Sequence, residues 1–290
     1  MSTPRRRAIA LIIACGIFLP GCVSRIDTSP DGTEGITAVA GFYPLAELVH
    51  EIGGDRVEVV NLTPAGAEAH DLELSPSQVD GVLDADLVLY VGGGFQPALE
   101  KAVAQRADDA GIDLAAGSDG DPHFWLSPLR LISAVPKVRA ALSAADPTAA
   151  QQFQAASTSY VARLQNLHEE FSDGLADCDR RTFVTTHAAF GLLAEAYDLR
   201  QESISGLSPE SEPDPARLAE LADQISELGV TTVFVEPLAP RGAAETLARE
   251  ADVTIAELDP LETLRADSDD DYFSVMRANL AALRNGLGCR

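Results

Sequence analysis

The chain has 290 residues, of which 46% are hydrophobic and 23% charged. That is enough apolar material for a sizeable core, and it argues against a disordered chain. Acidic residues outnumber basic ones 45 to 21, for a formal charge of −24. Such a surface repels phosphate, so no nucleic-acid partner is expected. The four cysteines form no C-x-x-C pair, which excludes a zinc ribbon and a thioredoxin-type redox motif.

The N-terminus carries an address. Arg5, Arg6 and Arg7 precede an apolar run from Ala8 to Phe18, then Leu19-Pro20-Gly21-Cys22. A cationic segment followed by a short apolar one is a secretory signal, here residues 1–21. An apolar residue three before a Cys, with Gly just before it, resembles the bacterial lipobox, in which the Cys receives a lipid. Cys22 is therefore the expected lipidation site and the membrane anchor. Beyond it no apolar run reaches the roughly 18 residues that a membrane span needs. Cys15 leaves with the signal and Cys22 is consumed, so Cys178 and Cys289 remain as an even pair. In an exported protein they are expected to form a disulfide.

Residues 22–34 read as a flexible tether rich in Ser, Asp, Gly and Thr. From there strands and helices alternate. Strands are predicted over 36–40, 57–62 and 87–91, with helices over 45–52, 75–83 and 97–110. Asp146-Pro147 opens a long helix running to about Leu175, on the order of 40 Å. Strands follow at 183–186, 231–235 and 253–256, with helices at 188–196, 214–228, 243–251 and 272–287. This rhythm is that of parallel sheets covered on both faces. The fold class is α/β: two Rossmann-like lobes, 35–145 and 178–290, bridged by one long rigid linking helix, 146–177.

Five histidines are present. His50 and His168 sit on predicted helices and read as surface residues. His70 follows a strand, His123 lies in Asp121-Pro122-His123-Phe124-Trp125 before a helix, and His187 ends a strand. Glu236 and Asp259 also follow strands. Ligands in open α/β sheets bind at the carboxyl ends of strands. Three imidazoles at that position, with a carboxylate at a fourth, suit a tetrahedral divalent metal, zinc first. Two ligands would come from each lobe, so the metal site belongs in the interlobe cleft.

Five motifs in order resemble the substrate-binding lipoproteins of zinc and manganese ABC importers, the metal-cluster class of periplasmic-type binding proteins. They are Gly66-Ala67-Glu68-Ala69-His70-Asp71 through Ser75-Pro76, Asp121-Pro122-His123-Phe124-Trp125-Leu126, His187-Ala188-Ala189-Phe190-Gly191-Leu192-Leu193, Phe234-Val235-Glu236-Pro237, and Leu258-Asp259-Pro260-Leu261. The tail from Tyr272 to Leu280 resembles the family's last helix, and the similarity runs from Thr37 to the end of the chain. The resemblance implies two α/β lobes joined by a single helix. It implies His70, His123, His187 and, by match, Asp259 as metal ligands. Glu236 is a nearby alternative or supporting group, and Asp121 is a support that holds His123 in the right tautomer.

The same resemblance implies a monomeric, lipid-anchored receptor on the extracytoplasmic face of the cell membrane, in the periplasm where the host has an outer membrane. It captures Zn²⁺ and delivers it to an ABC permease with its cytoplasmic ATPase. His187 at the third ligand position points to zinc. The short, His-free stretch before His123 leaves Mn²⁺, or both metals, as the alternative cargo. A site closed by protein ligands has no open position for an activated water, so no enzyme is expected. A three-His metallohydrolase with Glu236 as general base is the remaining alternative. Ligand imidazoles must be neutral, so capture is expected to weaken as the pH falls below roughly 6.

Overall fold

A computed structural model describes residues 35–108, 110–115, 120–209, 214–265 and 268–290. The signal peptide, Cys22 and the tether therefore lie outside the described residues. Strand β1 (Ile36–Ala40) leads into helix α1 (Tyr43–Gly53) and strand β2 (Val57–Asn61). Helix α2 (Pro76–Asp84) starts on Ser75, whose hydroxyl accepts from the Gln78 backbone while Gln78 reaches back to the Ser75 N–H. This reciprocal cap stabilises a helix start by about 1 kcal/mol. Strand β3 (Leu87–Tyr90), helix α3 (Pro97–Val103) and strand β4 (Gly111–Asp113) complete a parallel sheet ordered β2-β1-β3-β4.

Helices α4 (Pro128–Ala145) and α5 (Ala150–Gly174) follow as an antiparallel pair. Between them Asp146 turns the chain, its Oδ1 accepting from Thr148 N at 3.0 Å and Ala149 N at 3.3 Å. The second sheet is built from β5 (Thr182–Thr185), β6 (Arg200–Ser203), β7 (Thr232–Val235) and β8 (Thr254–Glu257). Its order, β6-β5-β7-β8, repeats that of the first sheet. Helices α6 (Gly191–Ala196), α7 (Pro215–Leu228), α8 (Gly242–Glu250) and α9 (Tyr272–Leu287) cover it.

Side chains alternate across each strand, so each sheet feeds two cores. Val39 and Val88 point to the layer under α2 and α3, with Val82, Leu99 and Ala102. Val184, Val233 and Val235 point to the layer under α7 and α8, with Leu221, Ile225 and Leu247. The opposite faces, through Ala38, Leu89, Phe183 and Phe234, join one larger core that contains residues of both sheets, α4, α5 and α9. Helix α5 is its spine. Phe153, Ser157, Tyr160, Leu164, Leu167 and Phe171 are buried at alternating four- and three-residue intervals, one face of a helix about 37 Å long. Arg163 of α5 binds Glu51 of α1 and lies 4.0 Å from the Phe273 ring of α9. Glu170 of α5 takes both donors of Arg277 of α9. Cys178 and Cys289 are disulfide-bonded, tying the segment after α5 to the end of α9.

The expected fold class is what is found, with differences in detail. Helix α3 stops at Val103 rather than running to 110. Strand β4 has only three residues, too few to show a period, and occupies part of the stretch beyond that helix. Strand β6 reads Arg-Gln-Glu-Ser, a polar edge strand with no apolar alternation to betray it.

Candidate metal centre

The carboxyl ends of the strands carry the candidate ligands. His70 lies in the loop after β2, His123 in the segment after β4, and His187 two residues past β5. The loop between β8 and α9 supplies the fourth group, Glu262. One ligand atom from each of His70, His123, His187 and Glu262 lies within 4.8 Å of the others. Glu262 Oε1 is 3.4 Å from His70 Nε2, 3.6 Å from His123 Nε2 and 3.4 Å from His187 Nε2. These separations are long for hydrogen bonds. They are close to the edge of a tetrahedron around zinc, about 3.3 Å for ligand bonds near 2.0–2.1 Å.

All four atoms are buried and none has a hydrogen-bond partner. Each such orphan costs about 1–3 kcal/mol. A divalent cation held by all four would remove that cost at a stroke. His123 and His187 are fully buried and Glu262 nearly so. His70 is edge-on to Phe95, ring centres 4.3 Å apart.

The rings are held from behind. His123 Nδ1 is 2.8 Å from Asp121 Oδ1, which also accepts from the His123 backbone N–H at 3.0 Å. His187 Nδ1 is 2.6 Å from Glu236 Oε2, and Glu236 Oε1 accepts from His187 N at 3.1 Å and from the Thr186 hydroxyl. A ring whose Nδ1 donates to a carboxylate presents a bare Nε2, the tautomer a metal needs. Gln96 Nε2 donates to the carbonyl of Ala69 at 3.1 Å, steadying the residue before His70.

The same contacts set the charges. Burial acts to raise the Glu262 pKa, but the facing imidazoles of His123, His187 and His70 outweigh it and hold the carboxyl well below its usual range. Burial acts to lower the His187 pKa, but Glu236 and Glu262 outweigh it and push the ring up to about 10. Both carboxylates therefore favour the protonated form of the His187 ring when no metal is bound. Glu262 also borders a small cavity of about 30 Å³, whose lining includes Glu68, Glu236, Asp259, Thr263 and Arg265.

Of the residues singled out from the sequence, the three histidines, Asp121 and Glu236 come together here. Asp259 does not join the cluster. Its Oδ1 accepts from Leu261 N at 2.8 Å, and Asn279 of α9 grips its backbone N–H and carbonyl at 2.8 and 2.7 Å. Its carboxylate is spent on a local turn, and burial raises its pKa to about 6. The turn continues through Leu261 in the left-handed region, φ 58°, and then presents Glu262. Glu262 is the member of the cluster that the sequence reading did not single out. It stands one residue beyond the last motif matched, and only its longer side chain in the same loop could have suggested it. His50 is exposed and His168 packs on Tyr197, both away from the cluster.

The loops that carry the cluster are tied to one another. Gly66 N donates to Leu264 O at 2.9 Å and lies 3.0 Å from the Thr263 hydroxyl, joining the His70 loop to the Glu262 loop. Trp125 Nε1 donates to Pro260 O at 2.8 Å, and Tyr272 OH donates to Trp125 O at 2.7 Å.

Known proteins resemble this chain along most of its length. The zinc-binding lipoprotein AdcA of Streptococcus pneumoniae is 34% identical over 96% of this chain, which spans 60% of that relative's length. The high-affinity zinc uptake system protein ZnuA of Bacillus subtilis is 31% identical, with 96% of each chain covered. The crystal structure of the Zn(II)-bound ZnuA-like domain of S. pneumoniae AdcA superposes with a TM-score of 0.76 at 35% identity, covering 88% of this chain and 99% of that one. The profile of the family described as "Zinc-uptake complex component A periplasmic" (ZnuA) matches residues 38–286, and the chain belongs to that family.

Proposed function

We propose that this protein is an extracytoplasmic receptor that captures Zn²⁺ and delivers it to an ABC permease driven by a cytoplasmic ATPase. The observation that carries the reading is the convergence of four buried, unpartnered ligand atoms from His70, His123, His187 and Glu262. Three imidazoles and one carboxylate suit zinc better than manganese, which favours oxygen donors. The metal is cargo here, and capture needs no chemistry beyond ligand exchange and loss of any proton on the ligand rings.

The lobe division at 35–145 and 178–290, with 146–177 as linking helix, is the frame of this reading. The sequence of residues 1–21 and Cys22 supports export, signal removal and lipid anchoring at the outer face of the cytoplasmic membrane. The lipoprotein name of the streptococcal relative supports the same location. The metallohydrolase alternative loses its base: both oxygens of Glu236 are engaged by His187 and Thr186. Four protein ligands also leave zinc no open position for water.

The test is a calorimetric titration of the metal-stripped chain lacking residues 1–22, with a competing chelator. One zinc per chain, bound far more tightly than manganese, is the expected result. No zinc binding, or manganese bound as tightly, refutes the reading.

A further inference from the structure

Gly191 opens α6, the short helix that follows His187. Its backbone is not in the left-handed region, so no turn geometry demands glycine there. Alanine is the better helix residue at such a position. What a methyl group would meet is a contact from the other half of the chain. A Cβ added at Gly191 would lie 2.9 Å from Oδ2 of Asp121, closer than non-bonded atoms approach. Asp121 has little freedom to retreat. Its other oxygen is engaged by both the ring and the backbone N–H of His123, at 2.8 and 3.0 Å. His123 in turn is fully buried and aims Nε2 at Glu262.

We propose that Gly191 is a positioning residue for metal capture. By carrying no side chain it lets the Asp121 carboxylate seat between the first turn of α6 and the His123 ring. The orientation of a ligand in the first half of the chain thereby depends on the apposition of a helix from the second half. Opening the cleft would withdraw the wall against which Asp121 rests, loosening His123 as the halves part. The proposal rests on His123 being a zinc ligand, as proposed above.

The experiment compares zinc affinity, by competition with a chromogenic chelator, in the wild type, Gly191→Ala, Asp121→Ala and the double variant. Loss of a group supporting a metal-bound histidine typically costs 10–100-fold in affinity. Gly191→Ala is expected to lose at least about tenfold, within the range seen for such supports. The double variant is expected to bind no more weakly than Asp121→Ala alone. The ¹⁵N spectrum of the metal-free protein should show the His123 ring nitrogens displaced in Gly191→Ala as in Asp121→Ala. Wild-type affinity in Gly191→Ala, or losses that multiply in the double variant, would overturn the proposal. If Gly191→Ala does not fold, Gly191→Ala/Asp121→Ser removes the colliding oxygen. It should then fold and bind like Asp121→Ser, and its failure to fold counts against the proposal. A wild type that binds no zinc refutes the proposed function instead, and the His123 ring spectrum still decides whether Gly191 acts through Asp121.

Discussion

His187 Nδ1 and Glu236 Oε2 stand 2.6 Å apart, both buried, at the ends of adjacent strands of one sheet. The carboxylate fixes the ring so that Nε2 faces Glu262 at 3.4 Å. Replacing Glu236 by Gln keeps the shape but removes the charge and the certainty of tautomer. Zinc affinity is expected to fall 10–100-fold with one metal still bound per chain. A chelator competition at neutral pH measures it, and an unchanged affinity would show that Glu236 serves only the fold.

Glu262 and Asp259 sit three residues apart on one loop yet do different work. Glu262→Gln should weaken zinc binding far more than Asp259→Asn, because only the former takes the anionic carboxylate out of the cluster and leaves a weaker, neutral amide donor. Asp259→Asn should keep its turn, since an amide oxygen can still accept from Leu261 N. Paired titrations decide the order, and a larger loss in Asp259→Asn would return that residue to the ligand set.

Capture should release protons at neutral pH. The metal-free His187 ring is pushed up to about 10, and that of His123 is raised also, Asp121 and Glu262 outweighing burial. A group whose pKa is raised stays protonated until the pH passes that value, and zinc must displace the proton. Apparent affinity should therefore climb through pH 6–9, by up to about tenfold per pH unit for each proton released. Calorimetry at pH 7 in buffers of different ionisation enthalpy should show heats that vary with buffer. Heats independent of buffer would mean that the metal-free rings are already neutral.

The Cys178–Cys289 disulfide closes a loop over a sequence separation of 111. In the chain-entropy model a loop of that size contributes about 4–5 kcal/mol. Cys178→Ser/Cys289→Ser is expected to lower the unfolding midpoint on the order of 10 °C. Thermal unfolding with and without reductant tests this, and a thiol assay of the denatured chain from residue 23 should find no free thiol. Two titratable thiols would contradict the bridge.

What was legible in the sequence was whatever is local or repeats along the chain. The apolar runs of β1, β3 and β7 and the cap-plus-proline starts of α2 and α7 announce themselves within a few residues. Asp121 and His123 are two residues apart, so their pairing could be read directly. His187 and Glu236 are far apart, but both end strands, and parallel pairing of β5 with β7 brings strand ends together. Glu262 was not legible, because choosing it over Asp259 depends on the grip of Asn279, twenty residues on, and on the left-handed turn at Leu261. Short polar β6 and three-residue β4 were hidden because their pairing partners define them, not their own pattern.

In the proposed function three imidazoles and one carboxylate enclose the cargo. Zinc K-edge X-ray absorption of the zinc-loaded protein tests it most directly. Four-coordinate zinc is expected, with three imidazole nitrogens at about 2.0–2.1 Å and one oxygen at a similar distance. That oxygen signal should change in Glu262→Gln. A five- or six-coordinate, water-rich shell with fewer than three imidazoles would contradict it.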